Sequence, residues 1–243
     1  MMIVNADDWG RSPAETDASL ACFKAGRITS VCAMVFMSDS ARAADLAKEA
    51  HLDVGLHLNF SQEFTGNCQN GMLRKYHDRL IRFTSRSKYA RVVYNPGLRR
   101  EFRYVYQAQV EEYLRLYGRK PSHINGHWHL HLCMNVLLGR IIPEQEKVRR
   151  NFSFEPGERN LINRTYRGLI NLILERRYRT TRYFFDLSQC LEADRMVSVA
   201  ELARDETVEL MTHPVREAEY SYLTGEEYLK LLGGLKLGNF SSL

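Results

Sequence analysis

Apolar residues along this chain fall into short runs, and between the runs they recur at helical spacing. Residues 2–4 are apolar and stop at an acidic pair, Asp7 and Asp8, which predicts a short buried strand. Ser12-Pro13-Ala14-Glu15 reads as a capping box with proline at the first helical position. It predicts a helix running to Gly26, a C-terminal stop. Residues 28–37 form a second apolar run, rich in β-branched and sulfur side chains. Residues 40–50 are alanine-rich and helical, and 54–60 form a third strand carrying His57. Alternation of strand and helix argues for a mostly parallel sheet with crossover helices.

The middle of the chain is less regular. Residues 65–71 hold two glycines and two asparagines and read as a loop. Residues 79–91 are polar and basic. Residues 98–117 have the spacing of a long helix, with Phe102, Val105, Gln109, Tyr113 and Leu116 on one side and Gly118 and Pro121 closing it. Residues 122–125 lead as a short strand into a histidine cluster, and 148–154 form another strand candidate. Residues 160–179 read as a helix with Leu161, Leu169, Leu172 and Ile173 inward and arginines outward. Strands follow at 183–187 and 207–211. Further capping boxes at 198–201 and 224–227 open the last helices. No repeat, low-complexity tract or linker divides the chain, so residues 1–243 are expected to form one domain.

Composition adds limits. With 44% hydrophobic and 26% charged residues the chain is an ordinary globular protein. A net charge of +5 is only mildly basic and suits an anionic ligand without requiring one. The five cysteines form no CxxC pair and are expected to be reduced thiols, which together with the lack of an apolar leader gives a cytoplasmic expectation. No run approaches a transmembrane span. Neither nucleic acid nor stable membrane insertion is expected. A homodimer stays open.

The chemistry sits where apolar runs end. Asp7 and Asp8 are adjacent. Neighbours on a strand point to opposite sides, but at a strand-to-loop junction both can face one cavity. Two carboxylates there invite a division between metal binding and proton transfer. The alternative, an aspartate pair capping the next helix, is weakened because Ser12 already supplies that cap. His57 is either a hydrogen-bonded core histidine or a ligand, and the acidic pair and later cluster favour the ligand. His127, His129 and His131 alternate, which on an extended segment places all three on one face, and at least one is expected to ligate metal. His213 precedes Pro214 and is either a general acid or structural. Trp9 and Trp128 neighbour these candidates and are either core residues or part of the cleft. A ring lining the cleft would be a platform for the apolar face of a sugar. The arginines of 159–182 read as a solvated helix face, with contact to an anionic or lipid-linked substrate as the alternative.

At these residues the chain resembles the YdjC-like carbohydrate deacetylase family, which includes chitooligosaccharide and hopanoid-type deacetylases. The matching segments are Asn5-Ala6-Asp7-Asp8-Trp9-Gly10 with Ser12, Gly26-Arg27-Ile28-Thr29-Ser30, Gly55-Leu56-His57-Leu58-Asn59, Lys120-Pro121-Ser122-His123-Ile124-Asn125-Gly126-His127-Trp128-His129-Leu130-His131 and Glu209-Leu210-Met211-Thr212-His213-Pro214. They occur in family order across nearly the whole chain. The resemblance implies an α/β fold, a distorted (β/α) barrel of the glycoside hydrolase and deacetylase type. It implies hydrolysis of the N-acetyl group of a sugar or oligosaccharide, releasing acetate. It assigns Asp8, His57 and His127 to one divalent metal, Asp7 to the general base and His213 to the general acid. His129, Trp9 and Asn59 are expected at the substrate. The family implies magnesium, whereas two imidazoles and one carboxylate suit zinc or another transition metal on softness grounds. Two positions depart from the family: Asn125 stands where aspartate is frequent, and Trp9 where phenylalanine is usual. Residues 66–105 do not match, and substrate loops are expected there. The competing readings are a metal-dependent phosphoesterase and a non-catalytic carbohydrate-binding barrel.

Overall fold

The computed structural model describes residues 1–86, 88–153 and 161–243, and the side chains of all of these except 88 and 161–164. Its centre is a curled sheet of six strands: β1 (Met2–Trp9), β2 (Ser30–Ala33), β3 (Val54–Leu58), β4 (Ile124–Gly126), β5 (Tyr183–Asp186) and β6 (Val208–Thr212). They run in the order β4-β3-β2-β1-β6-β5, and every pairing is parallel. Around it lie α1 (Pro13–Lys24), α2 (Ser40–Glu49), α3 (Gly71–Ser85), α4 (Arg99–Tyr117), α5 (Met134–Gly139), α6 (Leu161–Arg177), α7 (Leu187–Glu192), α8 (Met196–Asp205), α9 (Glu217–Thr224) and α10 (Glu226–Leu232).

The two sheet edges are joined by an irregular segment, residues 147–153. The Ile124 amide donates to Lys147, and the Arg149 amide to Ile124, on the β4 side. On the other side the Val148 amide donates to Arg179 and the Ser153 amide to Phe184 of β5. This makes the expected distorted barrel, with one stave reduced to isolated bridges rather than the strand expected at 148–154. Phe154 and Asn160, which that strand and the helix after it included, lie outside the described residues.

Side chains alternate across the sheet. Met2, Val4, Ala6, Val31, Ala33, Val54, Leu56, Val208 and Leu210 pack outward against the helices in the main hydrophobic core. The interior is polar: Asn5, Asp7, His57, Asn125, Arg149 and Glu209 are all buried. This explains why β1 runs to Trp9 although its continuous apolar run ends at Val4. Its inward polar groups find partners inside the barrel. At the end where the strands begin, Phe240 closes the interior and stacks on His123 at 3.5 Å between ring centroids. Gly55 permits that plug, since a Cβ there would sit 2.4 Å from the His123 ring.

Several sequence expectations shift. Helix α3 occupies the stretch read as loop and basic segment; its buried side is Leu73, Tyr76, His77 and Leu80. Among the described side chains of α6 the buried positions are Ile170 and Leu174, while Leu169 and Leu172 are exposed, so the inward face is turned from the one expected; the Leu161 side chain lies outside the described residues. Residues 198–201 lie inside α8 rather than opening it, and α10 starts from Gly225 rather than Thr224. Ser12 begins α1, but its hydroxyl bonds Glu15 instead of a backbone amide. All five cysteines are free and buried. No helix among the described residues is long and apolar enough to cross a membrane.

His77 gives a test of this packing. It stacks on Phe64 at 3.8 Å and donates from Nε2 to the Asn59 carbonyl at 3.1 Å. Burial pushes its pKa down from 6.5 to about 4. The unfolded chain therefore binds more protons between pH 6.5 and 4, and stability must fall as pH drops through that window. Each such histidine contributes a slope of up to about 1.4 kcal/mol per pH unit. We expect urea midpoints to fall less between pH 7 and 4.5 in His77→Phe than in the wild type. An equal fall in both would remove His77 from the account.

Candidate metal centre and cleft

At the ends of β1, β3 and β4 the chain opens a cleft of about 560 Å³. Asp7 and Asp8 both reach it because β1 is irregular between Ala6 and Trp9, with Asp8 in the left-handed region at φ 64°. A regular strand would send the two side chains to opposite faces. Trp128 and His129 repeat this strain after β4, at φ 54° and 56°. Consecutive non-glycine residues there are costly and concentrate at functional sites.

Asp8 Oδ1 lies 3.2 Å from His57 Nε2 and 3.0 Å from His127 Nδ1. One atom from each of the three residues lies within 4.8 Å of the others. The second Asp8 oxygen is 3.1 Å from Arg11. Burial works to raise the Asp8 pKa, but hydrogen bonds to His127 and His57 hold it well below the usual carboxylate range. For His57 burial lowers the pKa, and the Asp7 and Asp8 charges outweigh it and leave it raised.

The neighbours of His57 fix how it presents itself. Asp7 can only accept, so Asn125 Nδ2 donates to Asp7 Oδ1 at 3.0 Å. Asn125 Oδ1 is then the acceptor for His57 Nδ1–H at 2.7 Å. A neutral His57 oriented this way turns the lone pair of Nε2 toward Asp8 Oδ1. Two acceptors so close require a cation between them, either a proton or a metal. A histidine whose outer nitrogen donates to a polar partner is the usual arrangement behind a metal ligand. The donor set of one carboxylate and two imidazoles therefore fits a divalent ion, with the cleft on its open side.

Asp7 is tied from behind. Arg149, with no exposed surface, donates from both terminal nitrogens to it, at 2.5 and 2.8 Å, and from Nε to Glu209 at 2.7 Å. Asn5 Nδ2 adds a bond to Asp7 at 2.9 Å. Burial acts to raise the Asp7 pKa, and the Arg149 charge and hydrogen bonds overcome it, keeping the carboxylate ionised. Glu209 receives less of Arg149, and burial pushes it up to about 6.

The remaining expected residues divide. His213 lines the cleft, with its amide donating to Glu219 at 2.6 Å and its ring Nδ1 3.9 Å from that carboxylate. His129 lines the cleft beside Phe152. Trp128 stands 63% exposed at the rim. Trp9 is corrected: its ring is fully buried and cannot carry a sugar. Asn59 is corrected too. It is buried, and its side chain binds the backbone of Ser61 and Gln62, shaping the turn that brings those two to the cleft. His131 faces away and bonds the Arg149 carbonyl at 3.2 Å. The sequence reading missed Arg149, Glu209 and Asp186, another cleft carboxylate. Glu209 had a signal, a lone charge within the apolar run Val208-Glu209-Leu210-Met211. Arg149 had none.

A family model described as YdjC-like protein matches residues 1–233. The chain belongs to the YdjC-like family. Among relatives, a carbohydrate deacetylase of Danio rerio is 28% identical over 65% of this chain and 51% of its own length. A chitooligosaccharide deacetylase of Proteus mirabilis is 30% identical over 56% of this chain and 52% of its own. These matches span about half of each relative. A Clostridium beijerinckii carbohydrate deacetylase is 26% identical over the whole chain and 99% of its own length. A crystal structure from Enterococcus faecalis V583, provisionally assigned to cellobiose-phosphate cleavage, superposes with a TM-score of 0.68 at 19% identity, covering 99% of this chain and 97% of that one. That likeness shows the fold.

Asn125 is the most direct test of the YdjC-like centre in this chain. In Asn125→Leu the His57 ring loses its acceptor, and we expect affinity for divalent metal to fall about 10–100-fold. Competition against a chromophoric chelator reads this on folded protein. Unchanged affinity would contradict the relay.

Proposed function

We propose that this protein is a metal-dependent hydrolase that removes N-acetyl groups from an N-acetylated sugar and releases acetate. The observation that carries the reading is the convergence of Asp8, His57 and His127 on one point of the cleft, with the Asp7 carboxylate beside them. The printed names of YdjC-like relatives, carbohydrate and chitooligosaccharide deacetylases, supply the substrate class.

Asp8, His57 and His127 would hold the ion. When bound, a divalent ion there supplies Lewis acidity, polarising the acetamide carbonyl and lowering the pKa of water. Asp7 receives the proton of the attacking water. Arg149 keeps it ionised and aimed, so the base is available throughout the neutral range. His213 faces the cleft from just past β6, the strand beside β1, where it gives a proton to the departing amine. The Glu219 carboxylate fixes the backbone that carries it. Trp128 offers an exposed ring for the apolar face of the sugar. The cleft volume is that of a small-molecule site.

Acetate release from a panel of N-acetylated sugars, with chelator and with added Mg²⁺, Zn²⁺ or Co²⁺, tests the reading. Release should stop with chelator and return with one of the metals. Asp7→Asn should lose about 10²–10⁴-fold in turnover while still binding metal. His57→Ala should lose metal and turnover together. Normal turnover in Asp7→Asn, or a full metal complement in His57→Ala, would overturn the assignment. Metal affinity should also rise with pH, since the His57 proton must leave before the ring can ligate.

A further inference from the structure

Charge is unevenly spread along this chain. Residues 74–103 hold ten lysines and arginines against two acids, a net +8. The whole chain carries +5, so everything outside that stretch is together acidic, at −3. The stretch covers most of α3, the connector after it and the first turns of α4. Arg82, Arg86, Arg99, Arg100 and Arg103 are exposed, and none forms a hydrogen bond or ion pair with a described residue. The last three, with Pro96, Tyr104 and Gln107, line an open groove of about 410 Å³. Cations in the first turn of α4 oppose the helix dipole, so helix stability does not account for them.

This basic region lies at the cleft end of the barrel. Helix α4 leads through residues 118–123 into the start of β4, so its first turn stands at the other end, where the strands finish. Arg91 and Val92 of the connector line a cavity that shares His129 and Phe152 with the cleft. The connector also turns apolar side chains to solvent. Tyr89 is 61% exposed, Val92 43% and Val93 53%. A single exposed apolar residue needs no explanation, but three within five residues, with arginines before and after them, form a patch.

An anionic bilayer fits both halves of this surface. Its negative potential attracts clustered lysine and arginine, and its headgroup boundary takes in aromatic and aliphatic side chains. Nucleic acid would reward the charge, but it would leave the two valines in water. We propose that the 86–95 connector and the basic first turns of α4 dock this protein on an anionic lipid surface, bringing the mouth of the cleft to the membrane. The proposal does not depend on the reaction carried out in the cleft.

The test is co-sedimentation of the whole chain with vesicles of phosphatidylcholine alone and of equal parts phosphatidylcholine and phosphatidylglycerol. Partition to the mixed vesicles should be at least about tenfold stronger and should weaken as salt is added. The triple variant Arg99→Gln, Arg100→Gln, Arg103→Gln should lose at least about tenfold of that partition. Val93→Asp should also weaken it, which separates apolar contact from attraction by charge alone. Both variants should keep the wild-type urea midpoint, since the substituted side chains are exposed. Equal partition to the two kinds of vesicle, or an unaffected triple variant, would overturn the proposal. So would an unaffected Val93→Asp, or binding of polyuridylic acid without binding of either vesicle. Acetate release from a water-soluble N-acetylated sugar should be the same in the triple variant as in the wild type, so docking and the deacetylase reading fail separately.

Discussion

Arg149 is a guanidinium without exposed surface, set between the carboxylates of Asp7 and Glu209 inside a barrel. Much of the interior depends on it. Ions cannot be buried singly without a large desolvation cost, and a buried pair gains enough only with good geometry. Here Asp7 receives two bonds from Arg149 and one each from Asn5 and Asn125, so it stays ionised. Glu209 offers one oxygen to Arg149, and its other oxygen is buried without a partner. That asymmetry is why the two carboxyls move in opposite directions, Asp7 down and Glu209 up. Removing one member of such a set typically costs about 3–5 kcal/mol, because the others remain buried and unpaired.

The same network reaches the cleft. From Arg149 it passes through Asp7 and Asn125 to His57, and each hydrogen bond fixes the direction of the next. The result is an imidazole with its free nitrogen aimed at Asp8. Asp8 itself is turned by the β1 irregularity and its left-handed backbone. The left-handed pair Trp128–His129 likewise swings the chain out of β4 after His127, carrying Trp128 to the rim. Strain of this kind persists only when surrounding structure over-determines it. The plugged lower barrel and the Arg149 network supply that support.

Much of this architecture was legible in the sequence, for identifiable reasons. The parallel order followed from alternating apolar runs and helices, and His57 and His213 were found because they end such runs. The adjacent carboxylates marked the bend in β1. What the sequence hid was tertiary. Strand β1 continues beyond Val4 because partners from β2, β4 and the 147–153 segment satisfy its inward polar residues, and no local pattern announces that. Trp9 looked like a cleft residue because it neighbours Asp8, yet the same bend that turns Asp8 to the cleft buries the ring after it. Asn59 looked like a substrate contact and serves the turn instead. In α6 a helix rich in both leucine and arginine left two faces to choose between, and packing selected Ile170 and Leu174.

The central claim is that Asp8, His57 and His127 share one divalent ion. Anomalous diffraction at the Zn²⁺ or Co²⁺ absorption edge, on crystals grown with that metal, measures it directly. The account expects one strong peak about 2.0–2.2 Å from an Asp8 oxygen, His57 Nε2 and a His127 ring nitrogen. A peak held by Asp7, Cys32 and His57, the other cluster among the described residues close enough to hold an ion, would contradict it. So would no peak at all in fully metal-loaded protein.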